Sequence, residues 1–168
     1  MIAESLVSVG PHPDIPVSDL IFTPFIGSWD LRVTWYAEGE VVRQEDGEWH
    51  FGWVLEGRAI QDVWIVPRRE KRITATHLYE YGTSIRFYDP SLAAWRSTWI
   101  GPMHGMVRTF VARQLAGTVT LETDPGQGDG MRWVFSDITD SAFVWRNSVH
   151  SDGRWLLQQD FIASRMPK

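Results

Sequence analysis

What constrains this chain most is a spacing. From Trp29 onward its apolar residues fall at every second position, run after run. In "WDLRVTW", Trp29, Leu31, Val33 and Trp35 share one face, while Asp30, Arg32 and Thr34 take the other. A period of two is that of a strand, whose successive side chains point to opposite faces; a helix needs a period near 3.6. Nine further runs follow: "GEWHFGWVL", "GRAIQDVWIVP", "YGTSIRFYDP", "AWRSTWIG", "MVRTFVARQ", "GTVTLET", "MRWVFSDIT", "SAFVWRNSV" and "RWLLQQDFIASR". Between them stand hairpin residues, among them Glu38-Gly39, Glu56-Gly57, Asp89-Pro90-Ser91, Asp124-Pro125-Gly126 and Asp152-Gly153. Glycine supplies positive φ there, proline sets the entry, and Asp or Ser side chains close local hydrogen bonds. Ten strands on short links make an all-β, up-and-down meander. Left open, such a sheet would expose two long edges, so closure into a barrel is expected.

Strand count then decides what meets what. In a meander an even number of strands returns the end of the last to the pole where the first began. Ten strands place Arg165 beside Trp29; eleven would part them. The segment 67–81, "PRREKRITATHLYEY", is where an extra strand could hide. Its charged cluster, Arg68 to Arg72, breaks the alternation and reads as a solvated loop with a short edge strand, or as a flap over the barrel mouth. Residues 1–24, rich in proline and short polar side chains, read as an arm laid over a single domain spanning 25–168.

At the head of the first strand stands "FIGSWDL", with Gly27 two residues before Trp29. This Gly-x-Trp resembles the signature of the calycin superfamily, the lipocalins and fatty-acid-binding proteins. In that pattern the indole plugs the closed end of an up-and-down barrel, and an arginine near the end of the last strand packs across it. Arg165 in "FIASRMPK" matches the arginine. A guanidinium on an indole face gains a cation–π attraction and would stitch first strand to last. From Phe22 to Arg165 the chain also resembles a group of bacterial lipocalin-like proteins, through "FIGSWDLRV", "YGTSIRFYDPSLAAWRSTWI", "MRWVFSDIT" and "WRNSVHSDGRWLLQQDF". The resemblance implies the calycin fold and brings no assigned activity. Such barrels often self-associate, which leaves a homodimer open.

Ten tryptophans in 168 residues are more than core packing asks for. With Trp29 inward, Trp35 is inward too. The apolar pattern adds Trp49, Phe51, Trp53, Trp64 and Phe87 from the next strands, then Trp99, Trp133, Phe143 and Trp145. Eight strands enclose just enough room for side chains or one small ligand, and ten enclose more. Indole and phenyl walls suit a small, flat, hydrophobic ligand of aromatic or polyketide-like character. Gln159 shares the parity of Trp155, Phe161 and Arg165, which makes it the interior polar candidate.

Candidate acid–base residues are few. Asp62 shares a face with Trp64, and burial among indoles is a setting in which a carboxyl group can move protons. His77, His104 and His150 lie on links at the open end, and Asp62, His104 and His77 are the catalytic candidates. His50 has outward parity. No His-x-x-x-His or His-Glu-x-x-His spacing occurs and there is no cysteine, so neither metal nor other cofactor is expected. "DPGQGDG" lacks the helix and Lys-Ser/Thr of a phosphate cradle, and no Gly-x-Ser-x-Gly elbow is present. A net charge of −5 argues against nucleic acid as a partner. No apolar run approaches the ~20 residues of a membrane span. The amino terminus lacks a basic segment followed by a long apolar core, so a cytoplasmic protein is expected. Three functions fit: binding of a small hydrophobic molecule; cofactor-free cyclase, isomerase, hydratase or lyase chemistry in the same cavity; or a filled barrel whose surplus tryptophans serve protein contact.

Overall fold

The ten alternating runs become ten barrel strands in the computed structural model of the protein, which describes residues 1–74 and 80–167. A two-residue strand in the arm, β1 (Val7–Ser8), precedes them. The barrel then runs β2 (Gly27–Ala37), β3 (Glu40–Val54), β4 (Ala59–Val66), β5 (Glu80–Asp89) and β6 (Ala94–Gly101). It continues through β7 (Met106–Leu115), β8 (Thr118–Thr123), β9 (Met131–Ser136), β10 (Ala142–Ser151) and β11 (Arg154–Arg165). Each strand pairs antiparallel with the next, and β11 returns to β2, so no long edge is left open. The fold is a closed, ten-stranded, calycin-like barrel. No helix among the described residues is long and apolar enough to cross a membrane.

The closure is a side-chain latch as well as a ladder. Arg165 lies opposite Trp29 in the β11–β2 register, with its guanidinium carbon 4.1 Å from the indole centroid. Its Nη1 donates to Ile26 O and its Nη2 to Pro24 O, each at 2.8 Å. The Trp29 indole is fully buried and donates to Phe25 O at 2.7 Å. Gly27 is required twice over. Its φ is +123°, and a Cβ there would sit 2.7 Å from Arg165 Nη1.

The arm completes this pole. β1 pairs with Trp53 and Val54 of β3, just beyond Phe51, where β2 begins. Two residues past Gly10, the His12 N–H donates to Gly57 O at 2.9 Å. The chain then drops Ile15, Ile21, Phe22 and Phe25 into the core. Phe22 meets Trp95 edge-on at 5.3 Å, and Phe25 meets Phe135 at 4.6 Å and Phe143 at 5.0 Å. The links at the opposite pole are those after β2, β4, β6, β8 and β10.

The charged cluster after β4 is neither strand nor free loop over its described part. Arg69–Thr74 forms a 3-10 helix strapped to the outer wall. Arg68 pairs with Asp30, Lys71 with Asp46 at 2.8 Å, and Arg69 with Glu48 at 2.9 Å. Residues 75–79, within the 67–81 segment that the sequence reads as a loop or a flap, lie outside the described residues.

Arg165→Ala should destabilise the protein by about 2–3 kcal/mol in urea titration, from the lost cation–π contact and charge-assisted hydrogen bonds. Gly27→Ala should destabilise it too, and the two losses should not add, because the new methyl displaces the same guanidinium.

Candidate functional site

Aromatic side chains fill the interior cluster from one pole toward the other. At the closed pole Phe22, Phe25, Trp29, Phe135 and Phe143 are 0–1% exposed. Small residual exposures occur at both levels: 5% at Phe51 and 4% at Trp53 low in the barrel, and 5% at Trp99, 6% at Trp133 and Gln159, and 7% at Trp64 higher up. At this level four indoles from four strands form a circuit. Trp64 and Trp99 lie 5.3 Å apart, Trp99 and Trp133 6.0 Å, Trp133 and Trp145 5.4 Å, and Trp145 and Trp64 6.4 Å. Trp49 and Phe161 pack beneath, Phe161 stacked on Trp145 at 4.3 Å. Gly82 makes the circuit possible, because a side chain there would collide with the Trp99 ring. The indoles thus form an aromatic floor below the open pole, with further rings packed beneath it.

One row of register partners crosses four strand pairs and ends in the floor: Arg43, Trp35, Gln159, Asn147 and Trp133. Arg43 lies over Trp35, 4.5 Å from ring centroid to guanidinium. Asn147 Oδ1 accepts the Trp133 indole N–H at 3.1 Å. Other donors of this half, among the described residues, have no partner: Arg43 Nη2, Arg108 Nε, Trp64 Nε1, Trp145 Nε1 and Gln159 Nε2. An unpartnered buried donor costs about 1–3 kcal/mol, so five in one half-barrel call for an explanation.

Asp62 is inward and fully buried. It is not a free carboxylate. Its Oδ1 accepts the Ser84 N–H at 3.0 Å, and its Oδ2 meets Arg86 Nη2 at 2.5 Å. Arg86 is itself fully buried, 4.8 Å from the Phe22 ring centroid. Both of its oxygens are engaged, one of them in an ion pair.

Of the other sequence candidates, Trp49, Phe51, Trp64, Trp99, Trp133, Phe143 and Trp145 all enter the interior cluster. Trp53 lies lower, 6.5 Å from Trp95, and Trp35 and Gln159 stand in the upper row. Phe87 is a correction: it faces outward and is 47% exposed. The inward set on β5 is Gly82, Ser84, Arg86 and Tyr88, because Gly82 must clear Trp99 and Arg86 must reach Asp62. Trp155 is a second correction, exposed at 38%. A bulge leaves Gln158 without a partner on β10, so the parity of β11 flips between Trp155 and Gln159. His104 sits on the rim, its Nε2 2.9 Å from Glu80, while Asp62 lies inside the wall. His150 is exposed, 5.1 Å from Trp155, and His77 lies outside the described residues. Arg43, Arg86 and Arg108 were missed, although the short β5–β6 hairpin offered a signal. With Trp95 and Trp99 inward, its register forces Tyr88, Arg86 and Ser84 inward too.

Two further features lie outside the barrel. His50 bridges Ser28 Oγ and Glu48 Oε2, each at 2.9 Å. Burial pushes the Glu48 carboxyl up, but Arg69, through side chain and backbone, and His50 outweigh it and hold it at about 2. This row anchors the strap. A hollow of about 510 Å³ lies between the arm and β4–β6, lined by Ile15, Leu55, Ile85, Phe87 and Tyr88 among others. None of its lining residues carries an unpartnered buried polar atom. Among the described residues no three His, Asp or Glu side chains gather as a metal site would require.

The geometry defines a calycin-like barrel, closed at one pole and with an aromatic floor below the other. No protein-family model matches the chain, and no curated protein matches its sequence. Among solved structures it is similar to the S-type phycobiliprotein lyase of Guillardia theta, with a TM-score of 0.59 and 10% identity. The likeness covers 90% of this chain and 93% of that one, and shows a shared fold.

Asp62→Asn should leave a buried guanidinium unpaired and cost about 3–5 kcal/mol by chemical denaturation, whereas Asp62→Leu with Arg86→Met should cost much less. The Glu48 carboxyl has a folded value near 2 against an ordinary 4.5, so its stabilising contribution is complete above pH 4.5 and fades as pH falls toward 2. Hydrogen exchange of the Arg69 amide, which donates to Glu48, should accelerate across that window relative to the β3 amides.

Proposed function

We propose that this protein binds a small, flat, largely apolar molecule at the open pole, with the four-indole circuit as its floor. The observation that carries the reading is the indole circuit below the open pole, with the unpartnered donors of Trp64, Trp145, Gln159, Arg43 and Arg108 gathered around and above it. A cavity with aromatic walls and a few convergent polar groups is the usual form of a small-molecule site. The structural neighbour bears the name of a phycobiliprotein lyase, and a bilin-type molecule, flat and conjugated, belongs to the class proposed here.

The proton-moving alternative has less support. Arg86 and Ser84 occupy Asp62, and His104 is turned to Glu80 on the rim. Protein contact through surplus tryptophans has less still. Of the ten, only Trp155 is exposed and Trp35 is half-buried; the other eight are buried.

The neutral dye N-phenyl-1-naphthylamine should bind saturably, quenching tryptophan emission with a dissociation constant on the order of micromolar. Trp35→Ala should weaken that binding about fivefold or more, while Phe87→Ser, in the outer hollow, should change it less than about twofold. No saturable response, or the reverse order of the two variants, would contradict the reading.

A further inference from the structure

The unpartnered atoms of the open half have a common sense. Arg43 Nη2, Arg108 Nε, Trp64 Nε1 and Trp145 Nε1 are N–H donors with no acceptor to offer. The Gln159 amide can turn end for end, but as placed it too presents its nitrogen. The row's neighbouring carbonyl, Asn147 Oδ1, is already taken by Trp133. A purely hydrophobic ligand would cover these donors and leave every one unpaired. Water could serve one or two of them, but not without giving up its place to the ligand.

Charge points the same way. Arg43 and Arg108 share the inward parity of their strands, and neither forms an ion pair among the described residues. Trp35 holds the face of the Arg43 guanidinium, which leaves its edge to recognise a partner. Arg108 stands opposite Trp99 in the β6–β7 register and spends one nitrogen on Val107 O at 2.9 Å. Glu45, on the same face of β3 as Arg43, turns Oε1 to the Asp46 N–H at 3.2 Å. Both arginines are half-buried, and each holds one buried nitrogen without a partner, which an anion above the floor would complete.

We infer that the ligand is an anion: a planar aromatic or conjugated carboxylate whose rings lie on the four indoles and whose carboxylate pairs with Arg43. Its remaining oxygen acceptors face Gln159 and the indole N–H groups, and Arg108 adds a second positive charge at the rim. This rests on the binding reading above and narrows it, because an uncharged molecule of the same shape would bind as a poorer fit.

Matched probes test it. 9-Anthracenecarboxylic acid and its methyl ester differ by one charge, and 1-naphthoic acid and its ester repeat the comparison at smaller size. By tryptophan quenching each acid should bind about tenfold or more tighter than its ester, and added salt should narrow the gap. Arg43→Met should bring the acids down to the esters' affinity and leave the esters within about twofold of wild type. Equal wild-type binding of acid and ester would overturn the anion assignment while the neutral dye's binding still stood. Persistence of the acid's advantage in Arg43→Met would overturn the role of Arg43. The wild-type comparison needs no variant, so a poorly folding one cannot blunt it. Failure of both esters and acids to bind, together with the neutral dye, would overturn the binding reading itself.

Discussion

One contact organises the molecule: the Arg165 guanidinium lying 4.1 Å over the buried indole of Trp29. It joins the last strand to the first at one pole, and its hydrogen bonds to Pro24 and Ile26 tie the incoming arm to the same point. With that pole sealed, the parity of ten strands sends five links to the other. The inward set on β2 is then Trp29, Leu31, Val33 and Trp35, and register carries this choice around most of the wall. A barrel that is stitched, covered and packed with phenyl rings at one end has a single end left for a ligand.

The interior follows from competing demands of space and hydrogen bonding. Ten strands enclose more than their aliphatic residues could fill, and the aromatic side chains make up the difference at the closed pole. Indoles bring N–H groups that want acceptors. Trp29 finds one in Phe25 O and Trp95 in Asp19 O, both contributed by the segment entering the barrel. Trp64 and Trp145 find none among the described residues. Trp49, packed beneath them, has none either, so the indoles that find acceptors are those reached by the entering segment. Asp62 and Arg86 pair with each other inside the wall through one guanidinium nitrogen, while Arg86 Nε and Nη1 stay unpartnered among the described residues.

Much of this was legible in the sequence. The period-two runs place the ten barrel strands, and Gly27, Trp29 and Arg165 point to the latch. Parity failed where a local exception overrode hydrophobic pattern. On β5 the more apolar set, Ile85 and Phe87, lies outside because Gly82 and Arg86 are needed inside; on β11 one bulged residue turns Trp155 outward. The Arg86–Asp62 pair was hidden because an arginine in a strand ordinarily reads as surface, and only the hairpin register says otherwise. The strap from Arg68 to Lys71 was read as solvated because its acidic partners, Asp30, Asp46 and Glu48, lie from 21 to 38 residues away along the chain.

The most direct measurement is a crystal structure of the protein with 9-anthracenecarboxylate bound. Its rings should lie against Trp64, Trp99, Trp133 and Trp145, with the carboxylate within hydrogen-bonding distance of Arg43. Density for the ligand beside Phe87 in the outer hollow, with the half-barrel above the indoles closed to it, would contradict the assignment of the site to the open pole.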